Sequence, residues 1–163
     1  MEKRITLEYG EGHLELELSD NYQVLQSNIN NKKIDWDDKI KQSFSQPIDS
    51  ATLSKIVADE RSEQVVILVN DITRPVKYDI VLKPMLAELL EAGIQSENIT
   101  LLIATGMHRP MTAQEVESTL GKEISENFNW QNHLCEENLV YYGELSEGVP
   151  LYVNSLVKEA DLL

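Results

Sequence analysis

The stretch QVVILVN, Gln64–Asn70, decides the fold because it is a continuous run of apolar, mostly β-branched residues. Such a run predicts a strand that is covered on both faces of a sheet. A second run, NITLLIAT at Asn98–Thr105, has the same character. Between the two, residues 83–93 show the apolar spacing of a helix that ends at Gly93. This order predicts a βαβ unit with a right-handed crossover and two parallel strands.

Towards the N-terminus, the sequence predicts a β-hairpin. Apolar and polar residues alternate over 5–9 and again over 14–18, on either side of the turn sequence GEG, Gly10–Gly12. We expect one face of this hairpin to be buried. The polar residues 19–33 that follow predict an irregular connection.

Two helices are predicted between the hairpin and the central unit. Trp36 and Phe44 recur at helical spacing, and we expect both in the core. A second helical pattern follows, with Asp49 or Ser50 as its N-cap.

Beyond the second strand, the sequence predicts one helix and two short strands. Thr112 and Glu115 have the T-x-x-E spacing of a capping box at a helix N-terminus. The stretches NLVYYG and VPLYVN, residues 138–143 and 149–154, are typical of short strands. We therefore predict a single three-layer α/β, Rossmann-like domain over residues 1–163. Its central sheet is mainly parallel, and the β-hairpin is added at the N-terminus.

The composition limits the partners that the protein can have. The chain of 163 residues is 42% hydrophobic and carries a formal charge of -14. Such a surface repels nucleic acid and anionic membranes, although a local basic cluster can still bind a small anion. No apolar run approaches the length of a transmembrane helix, and the first residues lack the apolar core of a signal peptide. With one cysteine, Cys135, the sequence predicts a soluble cytoplasmic protein.

Two loops of similar sequence follow the predicted parallel strands. NDITRP, Asn70–Pro75, comes after the first strand, and TGMHRP, Thr105–Pro110, comes after the second. Because parallel strands end at the same edge of a sheet, where open α/β folds bind ligands, we expect these loops to form one cleft. Arginine suits a carboxylate or phosphate, and histidine can transfer a proton near neutral pH. The candidate site residues are Asp71, Thr73, Arg74, Gly106, His108 and Arg109.

Structural roles stay open for several of these residues. Asp71 could bond neighbouring backbone in an Asx-turn or pair with Arg74, and Thr73 could cap a turn. His108 and Arg109 could form an ordinary surface pair.

The sequence predicts no metal ligand and contains no glycine-rich nucleotide motif. His133 and Cys135 lie close together, but no further pair of ligands accompanies them. The N-terminus of the helix that begins after Thr112 could favour an anion.

The two loops resemble the signature loops of the nickel-pincer-nucleotide lactate racemase family. The matching segments are VNDITRP and LLIATGMHRPMT, residues 69–75 and 101–112. The segments YGEGHLELEL and GVPLYVNSLVKEADLL, residues 9–18 and 148–163, also match the family's pattern. The resemblance covers essentially the whole chain, as the N-terminal domain of a longer two-domain racemase.

This resemblance implies an isomerase that interconverts enantiomers or epimers of small 2-hydroxy acids such as lactate. In the family, a histidine takes the hydroxyl proton while hydride passes from the carbon to the cofactor's pyridinium ring. Two histidines act on opposite faces of the substrate. His108 matches one of them as a catalytic residue, and Arg74 matches an arginine that holds the substrate carboxylate.

The remaining loop residues are assigned to the substrate and to the nickel-pincer nucleotide. Arg109 is expected to bind substrate, and Asp71, Thr73 and Gly106 are expected to bind the cofactor. The lysine that anchors this cofactor and the histidine that binds its nickel have no match in this chain. The chain's partner is therefore the missing C-terminal part of the same protein, and we expect the 163 residues alone to be inactive. The alternative is a phosphate- or nucleotide-binding α/β module without chemistry of its own.

Overall fold

A computed structural model of the chain describes residues 3–25 and 34–163. The chain divides into two compact units, Met1–Lys33 and Ile34–Leu163, and each is described by itself. The single domain predicted over residues 1–163 stays a prediction. The strands and helices are, in chain order, β1 (Lys3–Tyr9), β2 (Gly12–Leu18), α1 (Trp36–Ser45), α2 (Leu53–Glu60), β3 (Val65–Asn70), α3 (Tyr78–Glu91), β4 (Ile99–Ala104), α4 (Ala113–Leu120), α5 (Lys122–Asn127), β5 (Asn129–Asn132), β6 (Leu139–Glu144), β7 (Pro150–Asn154) and α6 (Ser155–Glu159).

The first unit is the predicted β-hairpin. β1 and β2 pair antiparallel with Tyr9 opposite Gly12, and the turn uses Gly10 at a φ of 59°. The expectation of a buried face is wrong, because Leu7 and Leu14 are 45% and 44% exposed. Two strands alone give neither face a second layer to pack on. The connection is irregular over 19–25, and its remainder lies outside the described residues.

The second unit is built on a parallel sheet in the order β3–β4–β5. α3 joins β3 to β4, which confirms the predicted βαβ unit and its parallel strands. The third strand, β5, pairs parallel with β4 but was not predicted. Its sequence NWQN is short and mostly polar, so it lacks the apolar run or alternation that identifies a strand. The α/β class with a central parallel sheet and an N-terminal hairpin is confirmed.

The core lies between one face of this sheet and the helices. Leu101 and Ile103 of β4 are completely buried there, with 0% and 1% of their surfaces exposed. α3 begins at Tyr78, upstream of the stretch that predicted it, so Pro84 lies in the helix interior. The apolar side chains that share this core include Val69, Leu82, Leu86, Leu89, Met111, Val116, Leu120 and Ile124.

The opposite face of the sheet is less completely covered. Leu68 of β3 is 51% exposed, so the predicted coverage of that strand on both faces is incomplete. Leu68, Leu102 and Ala104 line a cavity of about 300 Å³ together with residues of β7 and α6. β7 pairs antiparallel with β6, and both strands were predicted.

The helices α1 and α2 form as predicted, but two details differ. Trp36 is 53% exposed instead of lying in the core, since it occupies the first position of α1. Phe44 is only partly buried, so it is not a core residue either. The N-cap of α2 is Thr52, which accepts a hydrogen bond from the amide of Lys55, and not Asp49 or Ser50. Among the helices in the described part of the chain, each is too short or too polar to cross a membrane.

Candidate functional site

The carboxyl ends of the three parallel strands bring the candidate residues to one edge of the sheet. Asn70 lies opposite Ala104, and Ile103 lies opposite Asn132. Asp71 and Thr105 therefore begin their loops at the same level. The two loops meet as the topology predicts, because Nδ1 of His108 lies 2.6 Å from Oδ2 of Asp71.

Asp71 is a buried carboxylate whose two oxygens both accept hydrogen bonds. It is 5% exposed. Its Oδ1 accepts from the Thr73 amide at 3.1 Å and from the Thr73 hydroxyl at 2.6 Å, which forms the Asx-turn considered above. Hydrogen bonds from Thr73 and His108 hold the pKa of Asp71 below its ordinary value. The carboxylate is therefore ionised at neutral pH and acts only as an acceptor.

The contact with Asp71 fixes the chemistry of the His108 ring. An ionised carboxylate accepts hydrogen bonds, so Nδ1 of His108 is the nitrogen that carries the proton. In the neutral ring Nε2 then has a free lone pair and can accept a proton. The imidazole is 56% exposed, and the described residues offer Nε2 no hydrogen-bond partner. This arrangement suits a general acid/base at an exposed edge of the sheet.

The arginines of the two loops are placed differently. The Arg74 side chain is exposed, and within residues 3–25 and 34–163 no hydrogen bond or ion pair engages its guanidinium. Arg109 instead forms a two-pronged ion pair with Glu115, at 2.6 and 2.9 Å. Hydrogen bonds from Arg109 lower the pKa of Glu115 to about 2. Arg74 is thus the guanidinium available to an anion, and the assignment of Arg109 to substrate stays a prediction.

The N-terminus of α4 is already occupied by this chain's own groups. Thr112 accepts from the amide of Glu115 at 3.3 Å, and Glu115 accepts from the amide of Thr112 at 2.8 Å, which confirms the predicted capping box. Because the Glu115 carboxylate lies where an anion would bind, the anion site predicted at this helix end finds no support.

The cofactor assignments of Asp71, Thr73 and Gly106 all stay predictions. Thr73 uses its hydroxyl and amide to hold Asp71. Gly106 is exposed and adopts a φ of 59°, and a Cβ added there would meet no atom within 4 Å. Glycine is therefore favoured at this position by the backbone conformation and not by crowding.

Two residues that the sequence did not single out support the site. The hydroxyl of Tyr78 accepts a hydrogen bond from the amide of Asn70 at 2.5 Å, and burial raises the pKa of this phenol. Asn132, at the end of β5, is bonded to both backbone groups of Met111. No sequence pattern around Tyr78 or Asn132 indicates these contacts.

The described residues contain no group of three His, Cys, Asp or Glu side chains that could hold a metal ion. His133 instead lies with Nδ1 3.4 Å from the amide nitrogen of Asn154, and Cys135 is an exposed free thiol. The donor set at the sheet edge therefore does not fit a nickel ion.

The model of one protein family matches most of the chain. This family is described as the lactate racemase N-terminal domain, and the match covers residues 9–163.

Two lactate racemases are similar to the chain in sequence. The lactate racemase of Thermoanaerobacterium thermosaccharolyticum is 33% identical over 165 residues, covering 98% of this chain and 38% of that protein. The lactate racemase of Lactiplantibacillus plantarum is 30% identical over 142 residues, covering 86% of this chain and 33% of that protein. The chain thus spans well under half of the length of either relative.

The fold is also similar to that of a solved structure, the lactate racemase apoprotein from Thermoanaerobacterium thermosaccharolyticum. The TM-score is 0.82 at 32% sequence identity, and the match covers 98% of this chain and 38% of that one.

Proposed function

The chain belongs to the lactate racemase N-terminal domain family, and we propose that it forms part of a longer racemase or epimerase of 2-hydroxy acids. Lactate is the default substrate, because both relatives described above are lactate racemases. The observation that carries the proposal is the contact of 2.6 Å between Asp71 and His108, at the edge of the sheet where α/β folds bind ligands.

His108 is the acid/base residue of this proposal. Asp71 keeps the proton on Nδ1, so that Nε2 can take the proton of the substrate's 2-hydroxyl group and later return it. An imidazole that is half exposed can reach a substrate at the sheet edge, while the buried carboxylate bonded to it fixes the ring's orientation. The carboxylate also stabilises the imidazolium that forms when Nε2 is protonated.

Arg74 is the residue that would hold the substrate's carboxylate. Its guanidinium provides a planar fork for two hydrogen bonds to a carboxylate, and its loop is joined to that of His108 through Asp71. The amide of Arg74 donates to the Asp71 carbonyl at 3.1 Å, which sets the course of the loop. A 2-hydroxy acid offers a carboxylate next to the hydroxyl group that His108 would deprotonate.

The resemblance implies a nickel-pincer nucleotide for the longer protein, which would accept and return the hydride of the reaction. The described donor set does not fit nickel, so no described residue of this chain is proposed as a ligand of the metal. The cytoplasm is the proposed location, in line with a single exposed cysteine.

The test is racemisation of L-lactate by a longer protein that contains this chain and is loaded with its cofactor. His108→Ala is expected to lower kcat by about 10²- to 10⁴-fold, the usual contribution of a general acid/base. His13→Ala is the matched control, since His13 lies exposed in the hairpin, and it should retain the wild-type rate. An unchanged rate in the His108 variant would contradict the acid/base assignment.

The 163 residues alone are proposed to be inactive, since the resemblance provides them with one of the two acid/base histidines. The same assay on this chain, supplied with cofactor, tests that statement. Substantial turnover would overturn it.

A further inference from the structure

The loop between β4 and α4 carries His108, and the last residue of β5 together with His133, which follows it, holds this loop at both ends. At the start of the loop, the Thr105 hydroxyl donates a hydrogen bond to the carbonyl of His133. At the other end, the side chain of Asn132 accepts from the amide of Met111 and donates to its carbonyl, both at 2.9 Å. We call these three hydrogen bonds the β5 clamp.

The β5 clamp joins two buried residues of the loop to the partly buried Asn132 and His133. Thr105 is 2% exposed and Met111 is 5% exposed. Removing the Asn132 side chain therefore leaves backbone groups of the buried Met111 without these partners, which is costly where water cannot replace them. The clamp is also tied to the sheet, because the amide of His133 donates to the carbonyl of Ile103 in β4 at 2.9 Å.

The segment between the two attachments is also held at Arg109, which pairs with Glu115 of α4, so the β5 clamp bears mainly on the residues before Arg109. Residues 106–110 are all exposed, and Gly106 begins them with a φ of 59°. Within this segment, the amide of His108 donates to the carbonyl of Thr105 at 3.0 Å. The backbone of His108 is thus positioned from Thr105. The partner of its ring, Asp71, belongs to the other loop.

We propose that Asn132 and Thr105 are positioning residues, which act through the β5 clamp to hold His108 against Asp71. This inference rests on the proposed function of His108 as the acid/base. Neither residue is assigned a contact with substrate. Their effect is to keep the ring within the short distance from the carboxylate that fixes its tautomer, as second-layer contacts do in other catalytic sites.

The variants are chosen within one strand. Asn132→Leu removes both hydrogen bonds to Met111, and Asn132→Asp keeps only an acceptor for the Met111 amide. Asn129→Leu is the matched control, because Asn129 begins the same strand and donates to the Glu97 carbonyl at 2.8 Å, away from the loop. Urea midpoints of all three variants separate a general loss of stability from a local effect.

The first readout is the ¹⁵N chemical shifts of the His108 ring in the 163-residue chain, measured where the ring is neutral. The wild type and Asn129→Leu are expected to give the Nδ1-protonated form. Asn132→Leu should shift the signals toward a mixture of tautomers, and Asn132→Asp should shift them less. Wild-type signals in a folded Asn132→Leu variant would overturn the proposal.

The second readout is racemase kinetics in the longer protein. Asn132→Leu should lower kcat on the order of tenfold to a hundredfold, the cost of a misplaced catalytic group, with KM little changed. Thr105→Val should act in the same direction, and Thr105→Ser, which keeps the hydroxyl, should restore most of the rate. A rise in KM with kcat unchanged would contradict the positioning role. Equal losses of kcat in Thr105→Val and Thr105→Ser would contradict it too.

The two readouts separate this inference from the proposed function. If the tautomer shifts in Asn132→Leu while His108→Ala remains active, the proposed function fails and the clamp stands. If His108→Ala is inactive while Asn132→Leu keeps both the wild-type spectrum and the wild-type rate, the clamp fails and the proposed function stands.

Discussion

The loops 70–75 and 105–110 share a polar residue, an arginine and a closing proline, yet they contribute opposite chemical groups to the sheet edge. The first loop turns its aspartate inwards, where Asp71 is buried and bonded, and leaves Arg74 exposed. The second loop leaves the imidazole half exposed and commits Arg109 to Glu115. Each loop therefore supplies one anchored residue and one residue that can act on a ligand.

Among the described residues, Arg109 is paired and Arg74 is not, because of the residues that follow Pro110 and Pro75. Six residues after Arg109, the first turn of α4 presents Glu115, whose carboxylate both caps the helix and pairs with the guanidinium. After Arg74, the structure describes no acidic side chain in contact with the guanidinium among residues 34–163. A shared local pattern thus predicts where the arginines lie but not what they bind.

Among variants that alter the contrast between the two loops, Asp71→Asn is expected to have the largest effect on kcat. In this variant the side-chain amide keeps its oxygen toward Thr73 and therefore presents its nitrogen, a donor, to His108. Nδ1 of His108 must then accept that hydrogen bond, so the ring carries its proton on Nε2. Nε2 is then unable to take the substrate's proton, and kcat should fall by about 10²- to 10⁴-fold. Lactate racemisation by the longer protein measures this loss.

Asp79→Asn is the matched control for that variant, because Asp79 lies exposed in the first turn of α3. It should leave the rate unchanged. A rate in Asp71→Asn within a few-fold of the wild type would show that the carboxylate does not set the tautomer.

The second prediction compares the two arginines directly. Arg74→Ala should raise the KM for lactate by about 10- to 100-fold, because a charge-assisted hydrogen bond to a carboxylate contributes roughly 1.5–3 kcal/mol. Arg109→Ala should change KM by about twofold or less, since its guanidinium is held by Glu115. Steady-state kinetics of both variants gives the comparison.

The reverse order, with the larger KM effect in Arg109→Ala, would restore Arg109 as the substrate arginine. It would mean that substrate replaces Glu115 on the guanidinium.

The fold and the meeting of the two loops were predictable because their signals are local and strong. The runs in β3 and β4 identify parallel strands, and parallel strands bring the residues that follow them to one edge. The capping box of Thr112 and Glu115 is equally local. From these features alone, Asp71 and His108 were expected in the same cleft.

The rest of the site depends on contacts that leave no pattern in the sequence. β5 consists of four mostly polar residues, so neither the strand nor the bonds from Asn132 could be anticipated. The pairing of Arg109 depends on the direction in which its side chain turns, which spacing does not reveal. The hairpin's alternation predicts its strands correctly but carries no information about what, if anything, covers Leu7 and Leu14.

The third prediction, with the smallest expected effect, concerns the titration of Glu115 at acid pH. Hydrogen bonds from Arg109 hold the pKa of Glu115 at about 2, below its ordinary value of 4.5. Because this pKa is lowered by folding, the pair stabilises the start of α4 above pH 4.5, and the contribution is lost as the pH falls through about 2. In Arg109→Ala the Glu115 carboxyl should titrate closer to its ordinary value, as NMR of the side-chain carbonyl carbon would detect. A midpoint that does not move would contradict the ion pair.

The central claim is that Asp71 holds the proton of His108 on Nδ1 and leaves Nε2 ready to accept one. ¹⁵N NMR of the imidazole in the wild-type chain, recorded where the ring is neutral, tests this most directly. We expect a proton-bearing Nδ1 and a proton-free Nε2. A proton-bearing Nε2 would contradict this claim, because the nitrogen left without a partner among the described residues could not then act as the base.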